Sequence, residues 1–123
     1  MMQPLAIVFY ERLMPGSQIV NRLQDLNYRV QAVNNAAILA ATVKREMPLL
    51  LVADCSAQGD VRTAIEKIKA DTATAHLPII AFGPDHEPEL LAAAQQAGAS
   101  FTIGDSGVAA HLSQLVDRAL HVE

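Results

Sequence analysis

Residues 48–54 read PLLLVAD: a proline, five apolar residues and then an aspartate. Because this run is apolar at every position rather than at alternate ones, it is typical of a strand buried on both faces of a sheet. Two further runs share this property, LAIVF at residues 5–9 and IIAF at residues 79–82. A sheet that is covered on both faces is a parallel sheet between two layers of helices, so these runs predict an α/β fold.

Segments with the spacing of amphipathic helices separate the apolar runs. In the second of these segments the apolar stripe is predicted to comprise Leu39, Val43 and Met47, and Gly98 is predicted to end the fourth helix. Five strands that each precede a helix give a (βα)5 three-layer sandwich, and right-handed crossovers favour the flavodoxin-like strand order 2-1-3-4-5. The predicted strands are residues 5–10, 28–33, 49–54, 78–82 and 100–103.

The composition indicates one globular domain over residues 1–123, with 51% hydrophobic and 18% charged residues. This apolar content excludes a disordered chain, and no apolar run approaches the ~20 residues of a membrane-spanning helix. The first residues lack a basic start and a cleavage site, so we expect the cytoplasm rather than secretion. A single cysteine, Cys55, excludes an internal disulfide. An acidic balance with few aromatic residues argues against a nucleic-acid partner.

Charge is distributed unevenly along the chain. Residues 1–83 contain seven acidic and eight basic residues, whereas residues 84–123 contain six acidic residues and a single base, Arg118. The last third therefore predicts an acidic surface, which restricts the choice of partner.

Ligands of such a sheet bind beyond the carboxyl ends of its strands, where the strand order reverses. Asp54 ends a buried strand there, and a carboxylate in that position needs a cation, a donor or a metal to compensate it. Its role is therefore that of a nucleophile or metal ligand, or alternatively that of an aspartate that caps a helix or braces a loop. The other residues predicted to line this pocket are Phe9, Tyr10, Glu11, Cys55, Ser56, Gly83 and Gly104.

Three segments resemble the receiver domain of response regulators in two-component signalling. PLLLVAD resembles the third strand of that family, with Asp54 at the position of the phosphoacceptor. IEKIKADTATAHLPIIAFG is similar to the family's third helix and fourth strand. AAAQQAGASFTI resembles its fourth helix and fifth strand, with Phe101 at the aromatic switch position. The resemblance covers essentially the whole chain and implies the same flavodoxin-like fold.

The chain departs from the receiver family at most of the positions that carry its chemistry. The family places an acidic pair after the first strand, where this chain has Phe9-Tyr10 and then Glu11. The hydroxylated residue that ends the family's fourth strand is Gly83 here, and the lysine that ends its fifth strand falls at Gly104-Asp105. The resemblance therefore implies a degenerate receiver that is not an enzyme and has no cofactor. Any Mg²⁺ would depend on Asp54, Glu11 and the backbone of Ser56.

In receivers, the face built from helix 4, strand 5 and helix 5 contacts partners, so we expect this chain to bind a protein or a second copy through that face. A working phosphoacceptor at Asp54 and an anion- or small-molecule-binding flavodoxin-like module are the alternatives, and a hydrolase around Asp54 is disfavoured. We expect neither a membrane nor a nucleic-acid partner. The residues predicted on the interface are Ala92, Ala93, Gln96, Phe101, Ala110 and Gln114.

Overall fold

The computed structural model describes residues 4–10, 12–55 and 61–120 of the chain. The strands of this part of the chain are β1 (Leu5–Phe9), β2 (Arg29–Val33), β3 (Leu50–Asp54), β4 (Ile79–Gly83) and β5 (Phe101–Gly104). Its α-helices are α1 (Leu13–Asp25), α2 (Leu39–Glu46), α3 (Val61–Ala70), α4 (Pro88–Ala97) and α5 (Asp105–Leu120), and a 3-10 turn, Ala36–Ile38, precedes α2. Over the described ranges, no helix is long and apolar enough to cross a membrane.

The strands form one parallel sheet in the order β2-β1-β3-β4-β5, which confirms the predicted topology. Every residue of the three central strands is buried, whereas both edge strands are partly exposed. This burial explains why the central strands are apolar at every position. A strand that is covered by helices on both faces has no solvent-facing side on which polar residues would alternate.

Two hydrophobic cores cover the two faces of the sheet. Helices α2, α3 and α4 enclose the core that contains Ile7, Phe9 and Ile65. Helices α1 and α5 enclose the second, which contains Val8, Phe82 and Leu112. Burial on both faces therefore fixes the register of the central strands, and with it the sheet edge at which they all end.

The prediction that Met47 belongs to the buried stripe of α2 is wrong. The helix ends at Glu46, and Met47 follows it with a left-handed φ of 49° and a side chain that is 54% exposed. Pro48 accounts for the difference, because a proline disfavours the right-handed helical conformation in the residue before it.

Gly98 ends α4, as predicted, and it has a φ of 129° that L side chains rarely adopt. A β-carbon at this position would overlap the stem of Lys69. The ammonium group of Lys69 donates to the carbonyls of Ala75 at 3.0 Å and Leu77 at 2.6 Å, and burial lowers its pKa. Lys69, near the end of α3, thus contacts both the connection that leads into β4 and the end of α4.

We expect Gly98→Ala to lower the free energy of unfolding by about 1–3 kcal/mol, because it combines a strained φ with a collision against Lys69. Gly83→Ala is the matched control. Its β-carbon would meet only Leu91 and Cys55 at ordinary contact distances of 3.5 and 3.6 Å. Urea denaturation compares the two variants, and equal losses of stability would contradict this account of Gly98.

Candidate functional site

Asp54 is the last residue of β3 and is fully buried. It lies beside Phe82 of β4, and the next residue, Cys55, donates its backbone N–H to the Phe82 carbonyl at 2.7 Å. An ionised carboxylate removed from water in this way is stable only if other groups replace its hydration.

Arg12 supplies that replacement. It is the N-terminal flanking residue of α1, so the connection from β1 carries it to the sheet edge where Asp54 lies. Its Nε donates to Asp54 Oδ2 at 3.0 Å, and its Nη2 donates to Asp54 Oδ1 at 2.9 Å. The planar guanidinium therefore engages both carboxylate oxygens at once, which is the strongest geometry for an ion pair of this type.

A second carboxylate binds the same guanidinium. Arg12 donates from Nη1 to Asp105 Oδ2 at 2.7 Å and from Nη2 to Asp105 Oδ1 at 3.1 Å. The hydrogen bond to Asp105 and then that to Asp54 raise the pKa of Arg12 above its already high ordinary value. One cation thus joins the end of β3 to the first residue of α5.

Asp85, in the connection after β4, holds the start of α5 from the other side. Its carboxylate accepts from the backbone N–H and from the hydroxyl of Ser106, each at 3.1 Å. Asp105, the first residue of α5, does not fill this role, because its carboxylate is held by Arg12. Asp85 lies so close to Gly104 that a β-carbon there would overlap its carboxylate.

The predicted pocket residues do not all face one pocket. Gly83 lies beside Cys55, next to Asp54, and Gly104 lies beside Asp85. Phe9 is fully buried in the core under α2 and α3.

Tyr10 is half-buried against the other core, and its ring occupies the space that a side chain at Gly16 would need. The two aromatic residues at the end of β1, Phe9 and Tyr10, thus pack into opposite layers. Glu11 and Ser56, the other predicted pocket residues, lie outside the described residues.

The sequence analysis did not identify Arg12 as a residue of the site. The signal that could have found it is the requirement for a cation next to a carboxylate that ends a buried strand. Arg12 is the first basic residue after β1, and the connection after β1 reaches the same sheet edge as Asp54. Within residues 4–10, 12–55 and 61–120, no group of three His, Cys, Asp or Glu side chains could hold a metal ion.

The residues predicted on the interface all reach the surface. Ala92, Gln96, Ala110 and Gln114 are exposed, and Ala93 is half-buried. Phe101 is half-buried on the edge strand β5 and packs against the core under α1 and α5.

Solved structures resemble this geometry over nearly its whole length. The receiver domain of NtrX from Brucella abortus gives a TM-score of 0.84 at 21% identity, covering 96% of this chain and 99% of that one. The receiver domain of the sensor histidine kinase PA1611 from Pseudomonas aeruginosa PAO1 gives 0.86 at 20% identity, covering 97% and 98%. That structure has a magnesium ion coordinated in its active-site cleft. This chain has the receiver-domain fold.

The chemotaxis response regulator CheY4 of Vibrio cholerae has the same fold, with a TM-score of 0.83 at 13% identity, covering 97% of this chain and 100% of that one. No protein-family model and no curated protein matches the sequence. At these identities the similarity shows a shared fold. The role of the side chains at the end of β3 follows from their contacts in this chain.

We expect Arg12→Met to lower the free energy of unfolding by about 2–4 kcal/mol, because it leaves the buried Asp54 carboxylate without this guanidinium. Adding Asp54→Asn should recover part of the loss. Arg45→Met, which breaks the exposed pair between Arg45 and Glu46, is the matched control and should cost at most about 0.5 kcal/mol. Chemical denaturation measures all three, and an Arg12 variant as stable as the Arg45 variant would contradict the buried pair.

Burial, followed by the charge of Asp54, raises the pKa of the Cys55 thiol to about 12. An unfolded thiol loses its proton near a pKa of ~8.5, so the stability that this thiol contributes is complete below that pH. It should be lost as the pH rises toward 12. The difference in unfolding free energy between the wild type and Cys55→Ala should shrink by roughly 1–2 kcal/mol between about pH 8.5 and pH 10. A difference that stays constant over this range would refute the assignment.

Proposed function

We propose that this chain is a receiver-like signalling domain that acts through protein–protein contacts in the cytoplasm, without Mg²⁺-dependent phosphorylation of Asp54. The observation that supports this proposal is the Arg12 guanidinium on both oxygens of the buried Asp54 carboxylate. In the receiver family these oxygens are the ones that take part in metal binding and phosphoryl transfer.

A magnesium ion does not fit the arrangement of side chains around Asp54. Mg²⁺ requires near-octahedral oxygen ligands at about 2.0–2.1 Å, and in proteins it usually relies on carboxylates. Both oxygens of Asp54 and both oxygens of Asp105 accept from Arg12 instead. Two unit charges ~4 Å apart repel by ~4 kcal/mol at an effective dielectric constant of ~20, and a divalent ion beside the guanidinium would meet about twice that.

Phosphoryl transfer to Asp54 is disfavoured for the same reason. A carboxylate that attacks a phosphoryl group needs a free oxygen and cations that neutralise the equatorial oxygens. Arg12 is a cation, but its two donors on Asp54 are directed at the oxygens that would have to react. Gly83 provides no hydroxyl, and Asp105 brings a negative charge to the end of β5, where the receiver family has lysine.

The Arg12 contact reaches the proposed interaction face. Asp105 begins α5, and β5, which carries Phe101, ends one residue before it. Arg12 holds Asp105, and Asp85 holds Ser106, so the junction of β5 and α5 is fixed from two sides. A face held in this way can bind a partner without first being switched, which is the mode of action that we propose for the surface of α4, β5 and α5.

An amide NMR titration tests the proposal, first with Mg²⁺ and then with beryllium fluoride as a phosphoryl mimic. We expect no saturable shifts at Asp54, Cys55 or Phe101 in the wild type at millimolar Mg²⁺. Arg12→Ala removes the competing cation from two carboxylates, so this variant should gain weak divalent-ion binding, seen as Mn²⁺-induced broadening at the end of β3.

Asp54→Ala is the control for both titrations. Saturable wild-type shifts that begin at Asp54, extend to Phe101 and vanish in this control would establish a working phosphoacceptor instead. Unchanged spectra in the wild type, together with broadening in Arg12→Ala that Asp54→Ala abolishes, would support the proposal that Arg12 takes the place of the metal.

A further inference from the structure

A pocket of about 260 Å³, the α2–α3 pocket, lies between the start of α2 with its 3-10 turn and the first two turns of α3. Its floor consists of Ala36 and Ala64, which belong to the core under α2, α3 and α4, and of the half-buried Ala40. These side chains are single methyl groups, so none of them fills the space between the two helices. The rim of the pocket is formed by Asn35, Ala37, Thr63 and Lys67.

Of the described residues that line the α2–α3 pocket, Lys67 alone is charged. Its side chain is exposed, and it forms no hydrogen bond or ion pair with the part of the chain that the structure describes. Neighbouring lysines differ in this respect, since Lys44 pairs with Asp71 at 3.0 Å and Lys69 donates to two backbone carbonyls. The pocket therefore offers a ligand one positive charge that no carboxylate of the protein compensates.

Asn35 adds a hydrogen-bond donor at the rim. Its side-chain oxygen accepts from the backbone N–H of Ala37 at 2.9 Å. This contact identifies the oxygen end of the amide and holds it against the 3-10 turn, so the NH2 group is the end that remains for a ligand. An ammonium group and an amide NH2 are both donors, and carboxylate oxygens accept from both.

The lining restricts the chemistry of the ligand. A cationic molecule would be repelled by Lys67, and a doubly charged phosphate would find only one cation to balance it. The floor presents methyl groups, so the part of the ligand that lies deepest has to be apolar. The volume is below the ~300–1,000 Å³ of pockets for drug-sized molecules, so the ligand has to be small.

We propose that the α2–α3 pocket binds a small molecule that carries one carboxylate on a short aliphatic chain. The carboxylate pairs with Lys67 and accepts from the amide of Asn35, while the chain lies on the alanine floor. This inference goes beyond the proposed function and does not depend on it, because neither the Arg12 contact nor the face of α4, β5 and α5 includes a residue of this pocket.

Hexanoate is the probe for this site, and acetate, hexan-1-ol and hexylammonium are its controls. Each is titrated into the whole chain at matched ionic strength and followed by the NMR shifts of backbone amides and alanine methyl groups. We expect hexanoate to bind with a dissociation constant on the order of 1 mM, with shifts centred on Ala40, Ala64 and Lys67. The controls lack the chain, lack the charge or reverse it, so each should bind at least about fivefold more weakly.

Two pairs of variants test which residues form the site. Lys67→Gln should weaken hexanoate binding at least about fivefold, whereas Arg62→Gln, at an exposed cation of the same helix outside the pocket, should leave it within about twofold. Ala40→Leu should abolish binding because the longer side chain fills the pocket. Ala41→Leu, at the exposed neighbour that does not line the pocket, should leave binding unchanged.

The exposed pair Lys67 and Arg62 keeps the test independent of whether α2 tolerates a larger side chain at Ala40. Equal effects of Lys67→Gln and Arg62→Gln would overturn the proposal, as would hexanol or hexylammonium binding as tightly as hexanoate. Acetate binding as tightly as hexanoate, or no saturable shift at roughly 20 mM hexanoate, would overturn it too. The same samples are titrated with Mg²⁺, so a response at Asp54 that refutes the proposed function is seen separately.

Discussion

A carboxylate without access to water has to be neutralised from within the protein, and the arrangement at the end of β3 follows from that requirement. Asp54 is fully buried, and Arg12 donates to both of its oxygens. The remaining edge of the guanidinium then holds Asp105. One side chain therefore joins three elements that are distant in sequence: the start of α1, the end of β3 and the start of α5.

The charged residues at this sheet edge differ from the pattern of the receiver family. The position after the first strand, which is acidic in the family, is followed here by Arg12, and the region of the family's lysine after the fifth strand contains Asp105. In this chain the cation on Asp54 is a covalently attached side chain, Arg12. Under the proposed function, the electrostatic state of the site is set by the fold rather than by the concentration of metal in solution.

Much of the fold could be predicted from the sequence, because the pattern that specifies it is local. The continuous apolar runs of β1, β3 and β4 and the helical spacing between them led to the strand order that the structure has. The end of α2 was less predictable, because the helical spacing continues to Met47 while Pro48 ends the helix one residue earlier.

The site was only partly predictable, because its main contacts join residues that are distant in sequence. Arg12 lies 42 positions before Asp54 and 93 positions before Asp105. The position of Asp54 followed from the strand pattern, and its need for a cation followed from its burial. The identity of that cation depends on the path of the chain between β1 and α1. Residue periodicity predicts helices and strands but does not predict the path of such a connection. Phe9 and Tyr10 were predicted to share one pocket, yet adjacent residues at a strand end point to opposite sides of the sheet.

The close approach of Asp85 to Gly104 has a consequence for substitutions at position 104. Any side chain at Gly104 would overlap the Asp85 carboxylate, and that carboxylate is held in place by two donors from Ser106. A lysine introduced at Gly104 would therefore displace a group that accepts hydrogen bonds from the start of α5. The Asp85 side chain is exposed and can rotate away, so such a substitution would cost the hydrogen bonds at the start of α5 rather than disrupt the strand. The residue at the end of β5 and the cap of α5 are therefore constrained together, because a larger residue at position 104 is accommodated only where the Asp85 cap is given up.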